Sequence, residues 1–264
     1  MGFIITINTN GTLINEEIAD LFGKRPCRRL NITLYGKNNE SYDNLCGNPN
    51  GFSQVMNALN LLKERNVPCR LNCSITPDNI DQLREICEIA NERQLHLEAV
   101  SYMFPPFRIE NTNFSRLTPQ EAAQASIDSF IYKNPQVDIH IAAKNTLRTL
   151  NQKNKTNDIT GMACRAGRSG FWLSWNGNML PCGMFNSPKI SLLEHSFEEC
   201  WQFLVHEVSK IKTCAECHDC RLRNICKVCA AACLTETGFI EKKPEYLCQM
   251  AQSYERLLNQ LADQ

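Results

Sequence analysis

Ten of the fifteen cysteines lie between Cys164 and Cys248, and Cys214, Cys217, Cys220, Cys226, Cys229 and Cys233 crowd into twenty residues. Thiolates two residues apart on a tight turn are the cheapest way to bring sulfurs together, and three or four converging sulfurs hold iron or zinc. The run from Cys214 to Cys229 supplies three such pairs. A disulfide framework calls for an oxidising compartment and usually a short secreted chain, whereas Met1 to Thr12 carry no basic segment followed by a signal-type apolar core. The spacing therefore points to iron-sulfur clusters, with structural zinc as the alternative that would use the same pairs.

The remaining composition excludes more than it suggests. With 28 basic and 28 acidic residues the net charge is zero, which argues against a general nucleic-acid or polyanion binder. No apolar run approaches the roughly 20 residues of a membrane helix. A chain of 264 residues, 43% hydrophobic, can bury a full core in one or two domains. A reducing cytoplasm is the expected location, with no membrane partner.

The first half alternates short apolar strands with amphipathic helices. Strands are expected at Phe3 to Asn8, Arg29 to Tyr35, Pro68 to Ile75 and Leu95 to Tyr102, and helices at Glu16 to Phe22, Phe52 to Arg65 and Ile80 to Arg93. After a loop from Pro105 to Leu117, Thr118-Pro-Gln-Glu121 has the form of a capping box with proline at the first helical position. This alternation predicts an α/β fold with parallel strands and helical crossovers, as in a doubly wound sheet or an incomplete barrel.

The texture changes near Asn151, where a polar stretch to Asp158 reads as a linker. Beyond it, Gly170 to Trp175, Asn176-Gly177, and Asn178 to Cys182 read as a hairpin on a two-residue Asn-Gly turn. A helix is expected from Ser196 to Ile211, capped through Glu199 and burying Phe197, Trp201, Leu204 and Val208. Trp172 and Trp175, alternating with Phe171, are expected in the core.

The second half resembles the SPASM module of radical S-adenosylmethionine (SAM) enzymes. That pattern is C, nine to fifteen residues, G-x4-C, a gap, C-x2-C-x5-C-x3-C, a gap, and C. Cys164, Gly177, Cys182, Cys217, Cys220, Cys226 and Cys248 match it. The spacing departs after Cys226, leaving Cys229 and Cys233 as alternatives for the penultimate ligand, with Cys229 preferred. The first half is similar to the family's catalytic barrel from its second strand onward, through Thr9-Asn-Gly-Thr-Leu-Ile14, Thr33-Leu-Tyr-Gly36 and Ser41-Tyr42. The resemblance implies an incomplete (β/α) barrel of the radical SAM type over 1–158, followed by a small cysteine-rich α+β SPASM domain over 159–264. Cys217, Cys220, Cys226 and Cys248 would hold one four-iron four-sulfur cluster. Cys164, Cys182 and Cys229 would hold a second, with Cys233 or Cys214 as a possible fourth ligand.

The family's C-x3-C-x2-C loop and its Gly-Gly-Glu segment are absent from this sequence: Cys69 and Cys73 have the first spacing but lack a third partner. The resemblance thus implies an N-terminally truncated chain, unable to cleave SAM alone. Its full-length form would be a peptide- or protein-modifying maturase, binding SAM and served by an electron donor such as a flavodoxin or ferredoxin. The auxiliary clusters would accept an electron from the substrate radical or ligate the substrate. Two other readings compete: a non-catalytic electron carrier or partner subunit, and a zinc-stabilised binding module. Whether the chain by itself is an enzyme stays open, as does the substrate, since sulfatase maturation, quinone cofactor assembly and haem-related chemistry use similar modules.

Other residues carry less. Asn10 is the best SAM-pocket candidate, at the end of the first strand, ahead of Tyr35, Ser74 or Thr76, and Tyr102 at later strand ends. Arg108 could grip a carboxylate, and His218 could support the neighbouring thiolates. Cys27, Cys46, Cys69, Cys73 and Cys87 are expected to be structural thiols.

Overall fold

The computed structural model describes residues 4–106, 114–150, 161–162, 164–212, 214–226 and 228–264. Two compact units emerge, one from 1–103 with 115–139, the other from 104–114 with 140–264. The expected linker at 151–158, with the boundary it was to carry, lies outside the described residues, as does Arg108.

The first unit holds strands β1 (Thr6–Thr9), β2 (Arg29–Thr33), β3 (Cys69–Ser74) and β4 (Leu97–Val100), all parallel and in sequential order. The α/β expectation holds. Helices α1 (Glu16–Lys24), α2 (Asn39–Cys46), α3 (Gly51–Glu64), α4 (Leu83–Glu92) and α5 (Pro119–Lys133) supply the crossovers and one further layer. Alternation along the strands sends Leu30, Ile32, Leu71, Cys73 and Leu97 into the core, where Val55, Ala58, Leu59 and Leu62 of α3 and Leu83, Ile86, Cys87 and Ala90 of α4 meet them. Burial of a side chain such as Leu62 contributes about 1.5–3 kcal/mol.

Local signals account for most boundaries. Asn15 caps α1 through Ile18 N–H, and the Thr118/Glu121 capping box is formed at α5. The expected helix over Ile80 to Arg93 opens as a 3-10 turn, Ile80–Gln82, before α4 begins. Helix α2 was not anticipated: it buries only Ser41 and Tyr42, so no apolar stripe announces it, and it is held by the Asn38 cap and a left-handed Gly47.

The second unit contains α6 (Ile139–Leu150, Ile139 itself falling in the first unit), also unanticipated, then an antiparallel sheet of β5 (Trp172–Leu173), β6 (Asn178–Leu180) and β7 (Ile190–Ser191). Helices α7 (Phe197–Lys210), α8 (Ala215–His218), α9 (Ala230–Thr237) and α10 (Glu245–Ala262) follow. The hairpin is present, but Leu173 pairs with Met179 and Ser174 N–H donates to the Asn178 carbonyl, so the loop has three residues rather than two. Gly177 takes the left-handed position, φ +78°, that such loops require.

Two packing expectations fail here. Trp175 is 97% exposed and Trp172 52%: Trp175 stands in the turn of the hairpin, and the buried residues of the pair of strands are Met179 and Leu180 of β6. Phe197, 53% exposed, likewise leaves the stripe of α7, whose buried residues are Cys200, Leu204 and Val208.

Candidate metal centre

Three segments far apart in sequence each bring a cysteine to a common place in the second unit. Cys164 sits between the buried residues Met162 and Ala166, and its sulfur accepts the Ala166 N–H at 3.4 Å. The loop lies close to α7: a Cβ on Gly167 would stand 2.6 Å from Val208 Cβ, so only glycine fits there, at φ +64°. Cys182 closes the hairpin, and its sulfur accepts the Met184 N–H at 3.3 Å. Cys229 is the N-cap of α9 and makes no side-chain cap hydrogen bond, although the Ala231 and Ala232 N–H groups are near enough to influence its thiol.

The Cys229 thiol is pushed up chiefly by burial; those N–H groups draw it down, and the Cys182 and Cys164 sulfurs are near enough to raise it further. The Cys164 and Cys182 sulfurs thus accept backbone N–H groups, an environment that suits a thiolate ligand.

A second group forms on α8, the turn after it, and α10. Burial is the main cause raising the Cys217 thiol, followed by Cys214, Cys233 and Cys248. Cys248 is pushed up to about 11 by burial, opposed by Lys243 and reinforced by Cys226 and Cys220. Burial likewise raises Cys226, where the Val228 N–H and Arg223 act in the opposite sense.

The extra cysteines fall differently. Cys214, buried, hydrogen-bonds with Cys217, whereas fully buried Cys233 feels Cys214, Cys229 and Cys226, its thiol pushed up to about 12 first of all by burial. His218 faces Asp219, with Nδ1 2.8 Å from a carboxylate oxygen.

Among the described residues, no three His, Cys, Asp or Glu side chains close on a point that would hold a single metal ion. Zinc with sulfur bonds near 2.3 Å would draw its thiolates within about 4 Å of one another. A four-iron cluster holds its thiolates farther apart, which suits sulfurs that influence one another electrostatically without meeting at one point. The donor set suits that group: soft thiolates, with N–H donors on the Cys164 and Cys182 sulfurs.

In the first unit, Asn10 uses its side-chain oxygen to accept from Thr12 N–H at 3.2 Å and Thr12 Oγ1 at 3.1 Å, shaping the turn after β1. The later strand ends are organised by Asn79, fully buried and overlooked in the sequence because a single asparagine in a loop carries no pattern. Its Nδ2 donates to the Tyr35 carbonyl at 2.9 Å and the Ser74 carbonyl at 3.1 Å, while its Oδ1 accepts from Thr76 N–H at 2.8 Å. Three of the expected strand-end candidates are thus joined at one residue. Tyr102 follows β4 within the described residues.

Opposite the apolar face, the sheet is polar. Asn31 donates to Asn8 at 2.7 Å and accepts from Arg29 at 2.9 Å, Arg70 pairs with Glu98, and the buried Arg70 Nε has no hydrogen-bond partner. Of the outlying cysteines, Cys27, Cys73 and Cys87 are buried, Cys69 is half-buried and Cys46 exposed. Burial raises Cys73 to about 12 and Cys87 to about 11, which suits structural thiols.

Residues 1–90 match the family described as the radical SAM superfamily. Similar curated proteins include the AdoMet-dependent heme synthase of Methanosarcina barkeri, 21% identical over 92% of this chain and 74% of that protein. The AdoMet-dependent heme synthase of Oleidesulfovibrio alaskensis is 24% identical over 90% of this chain and 66% of its own length. Among solved structures, anSMEcpe with bound AdoMet and the Cp18Cys peptide superposes with a TM-score of 0.65 at 18% identity, over 98% of this chain and 76% of that one. Streptococcus suis SuiB gives 0.66 at 17%, over 92% and 60%. The α/β fold with its parallel sheet is that of these radical SAM enzyme structures. No helix among the described residues is long and apolar enough to cross a membrane.

Proposed function

We propose that this is an iron-sulfur protein of the radical SAM/SPASM type, whose second unit holds auxiliary four-iron four-sulfur clusters for electron transfer or substrate ligation. Cys217, Cys220, Cys226 and Cys248 hold one cluster, and Cys164, Cys182 and Cys229 hold the other. The observation that supports the reading is that Cys182 and Cys229 pack against one core to which Met162 and Ala166, on either side of Cys164, belong, and that the Cys164 and Cys182 sulfurs accept the Ala166 and Met184 N–H groups. When bound, such clusters supply one-electron chemistry. The chain's own part is to hold the sulfurs as acceptors and to wrap them in the Met162, Met179 and Leu204 core. SAM would lie along the first unit, near the turn that Asn10 shapes, with electrons from a flavodoxin or ferredoxin.

A peptide or protein substrate remains the first reading, supported by the peptide held in the superposed anSMEcpe structure. The name shared by the sequence relatives favours a second, haem-type tetrapyrrole chemistry.

The test is iron and acid-labile sulfide analysis after anaerobic purification. Both should be present in stoichiometric amounts, and Cys220→Ala should remove about half the iron if each constellation binds a cluster of equal size. Stoichiometric zinc without sulfide would overturn the proposal.

A further inference from the structure

The residue after Cys182 is a glycine, and backbone conformation is not what selects it: Gly167 and Gly177 take the left-handed region, whereas Gly183 lies outside it. The place of its side chain is taken by Trp172. A Cβ on Gly183 would stand 3.2, 3.3 and 3.4 Å from Cε2, Cδ2 and Cε3 of the indole. Cε2 and Cδ2 are the ring-fusion carbons, which carry no hydrogen and can be approached only through the face of the ring. The indole therefore lies flat against the chain at Gly183, with about half of the residue left to solvent.

Gly183 belongs to the turn that presents Cys182. The Cys182 carbonyl accepts the Phe185 N–H at 3.1 Å, its sulfur accepts the Met184 N–H at 3.3 Å, and buried Phe185 anchors the far end of the turn in the core. Strand pairing brings the ring to this place. Trp172 pairs with Leu180, and Cys182 stands two residues further on, the diagonal position that an aromatic side chain reaches. Its neighbour Phe171 meets Phe197 and Trp201 of α7 edge-on, at 5.6 and 6.1 Å between ring centroids, which fixes β5 from its other face. Cys164 is exposed while Cys182 is half-buried, the difference that a ring lying on the Cys182 turn makes.

Building on the cluster reading above, we infer that Trp172 is a positioning residue of the Cys164/Cys182/Cys229 site. Its indole clamps the Cys182 turn, keeps the sulfur on the Met184 N–H and screens that side of the site from solvent; Gly183 is there to let the ring seat.

The experiment is the rate at which the anaerobically purified, iron-loaded protein gives up iron to an external chelator. Trp172→Ala should release part of its iron several-fold faster than the wild type, from an unchanged starting content of iron and sulfide. Trp172→Phe should restore most of the protection, which general loosening of the unit would not allow. Gly183→Ala keeps the indole but forces it off the turn, so it should act in the same direction, and the double variant Trp172→Ala/Gly183→Ala should be no faster than Trp172→Ala alone. Trp175→Ala, in the exposed turn, should release iron at the wild-type rate. Wild-type release from Trp172→Ala or Gly183→Ala with iron and sulfide intact, or equal acceleration in Trp175→Ala, overturns this inference and leaves the cluster reading in place. Absence of iron and sulfide from the wild type removes both.

Discussion

The two units reach stability by different means. In the first, four parallel strands and their helices interdigitate Leu, Ile, Val and Ala into one apolar layer. In the second, strands of two and three residues carry little ladder energy, and much of what lies near the centre is thiol: Cys200, Cys214, Cys217 and Cys233 are all buried. Where apolar area is large, the fold supports itself; where cysteines stand in for it, metal binding and folding are coupled. Without metal the clustered sulfurs stay protonated, as the raised Cys217, Cys233 and Cys248 thiols indicate, and metal binding releases those protons.

The strongest way to break this contrast is to strip the metal. Chelation should abolish hydrogen-exchange protection around Cys182 and Cys229 while the amides of β2 and β3 stay protected; equal loss in both units would contradict it. Next in size, Leu62→Ala should cost the first unit about 2–5 kcal/mol of stability without loss of iron. Trp172, Trp175 and Trp201, the chain's three tryptophans, all lie in the second unit. Tryptophan fluorescence therefore follows that unit, and circular dichroism of the helices should carry the Leu62→Ala effect.

Smaller again are the two capping boxes, one in each unit. Ser196→Ala and Thr118→Ala should each cost about 1 kcal/mol, with the Ser196 change visible in tryptophan fluorescence. Acid sharpens the same point. Glu121 and Glu199 are held below their ordinary value of 4.5, first of all by the backbone N–H groups of Thr118 and Ser196. A lowered folded-state pKa contributes stability that is present above 4.5 and lost as pH falls through the lower value. Melting temperature should therefore decline below pH 4.5 in the wild type and decline less in the Ala variants of Glu121 and Glu199.

How much was legible follows from what each element had to offer. Helices α3, α4, α5 and α7 announce themselves by apolar spacing or by a cap three residues from its partner, and the parallel strands by runs too apolar to face water. Helix α2 has neither, and its existence rests on one buried tyrosine and two end caps. Trp172 and Trp175 mislead for the opposite reason. Their composition suits a core, but β5 is exposed at both of its residues and Trp175 lies in the turn beyond it.

The sequence by itself determined the α/β alternation, the capping residues and the cysteine frame, because periodicity and spacing are local properties that a chain carries unfolded. Only the tertiary structure decided that Cys182 and Cys229 pack against one core, and that Asn79 ties the ends of β2 and β3 together. Those choices depend on which distant segments approach, and approach is settled by packing and by the need of buried polar groups for partners, neither of which spacing along the chain encodes.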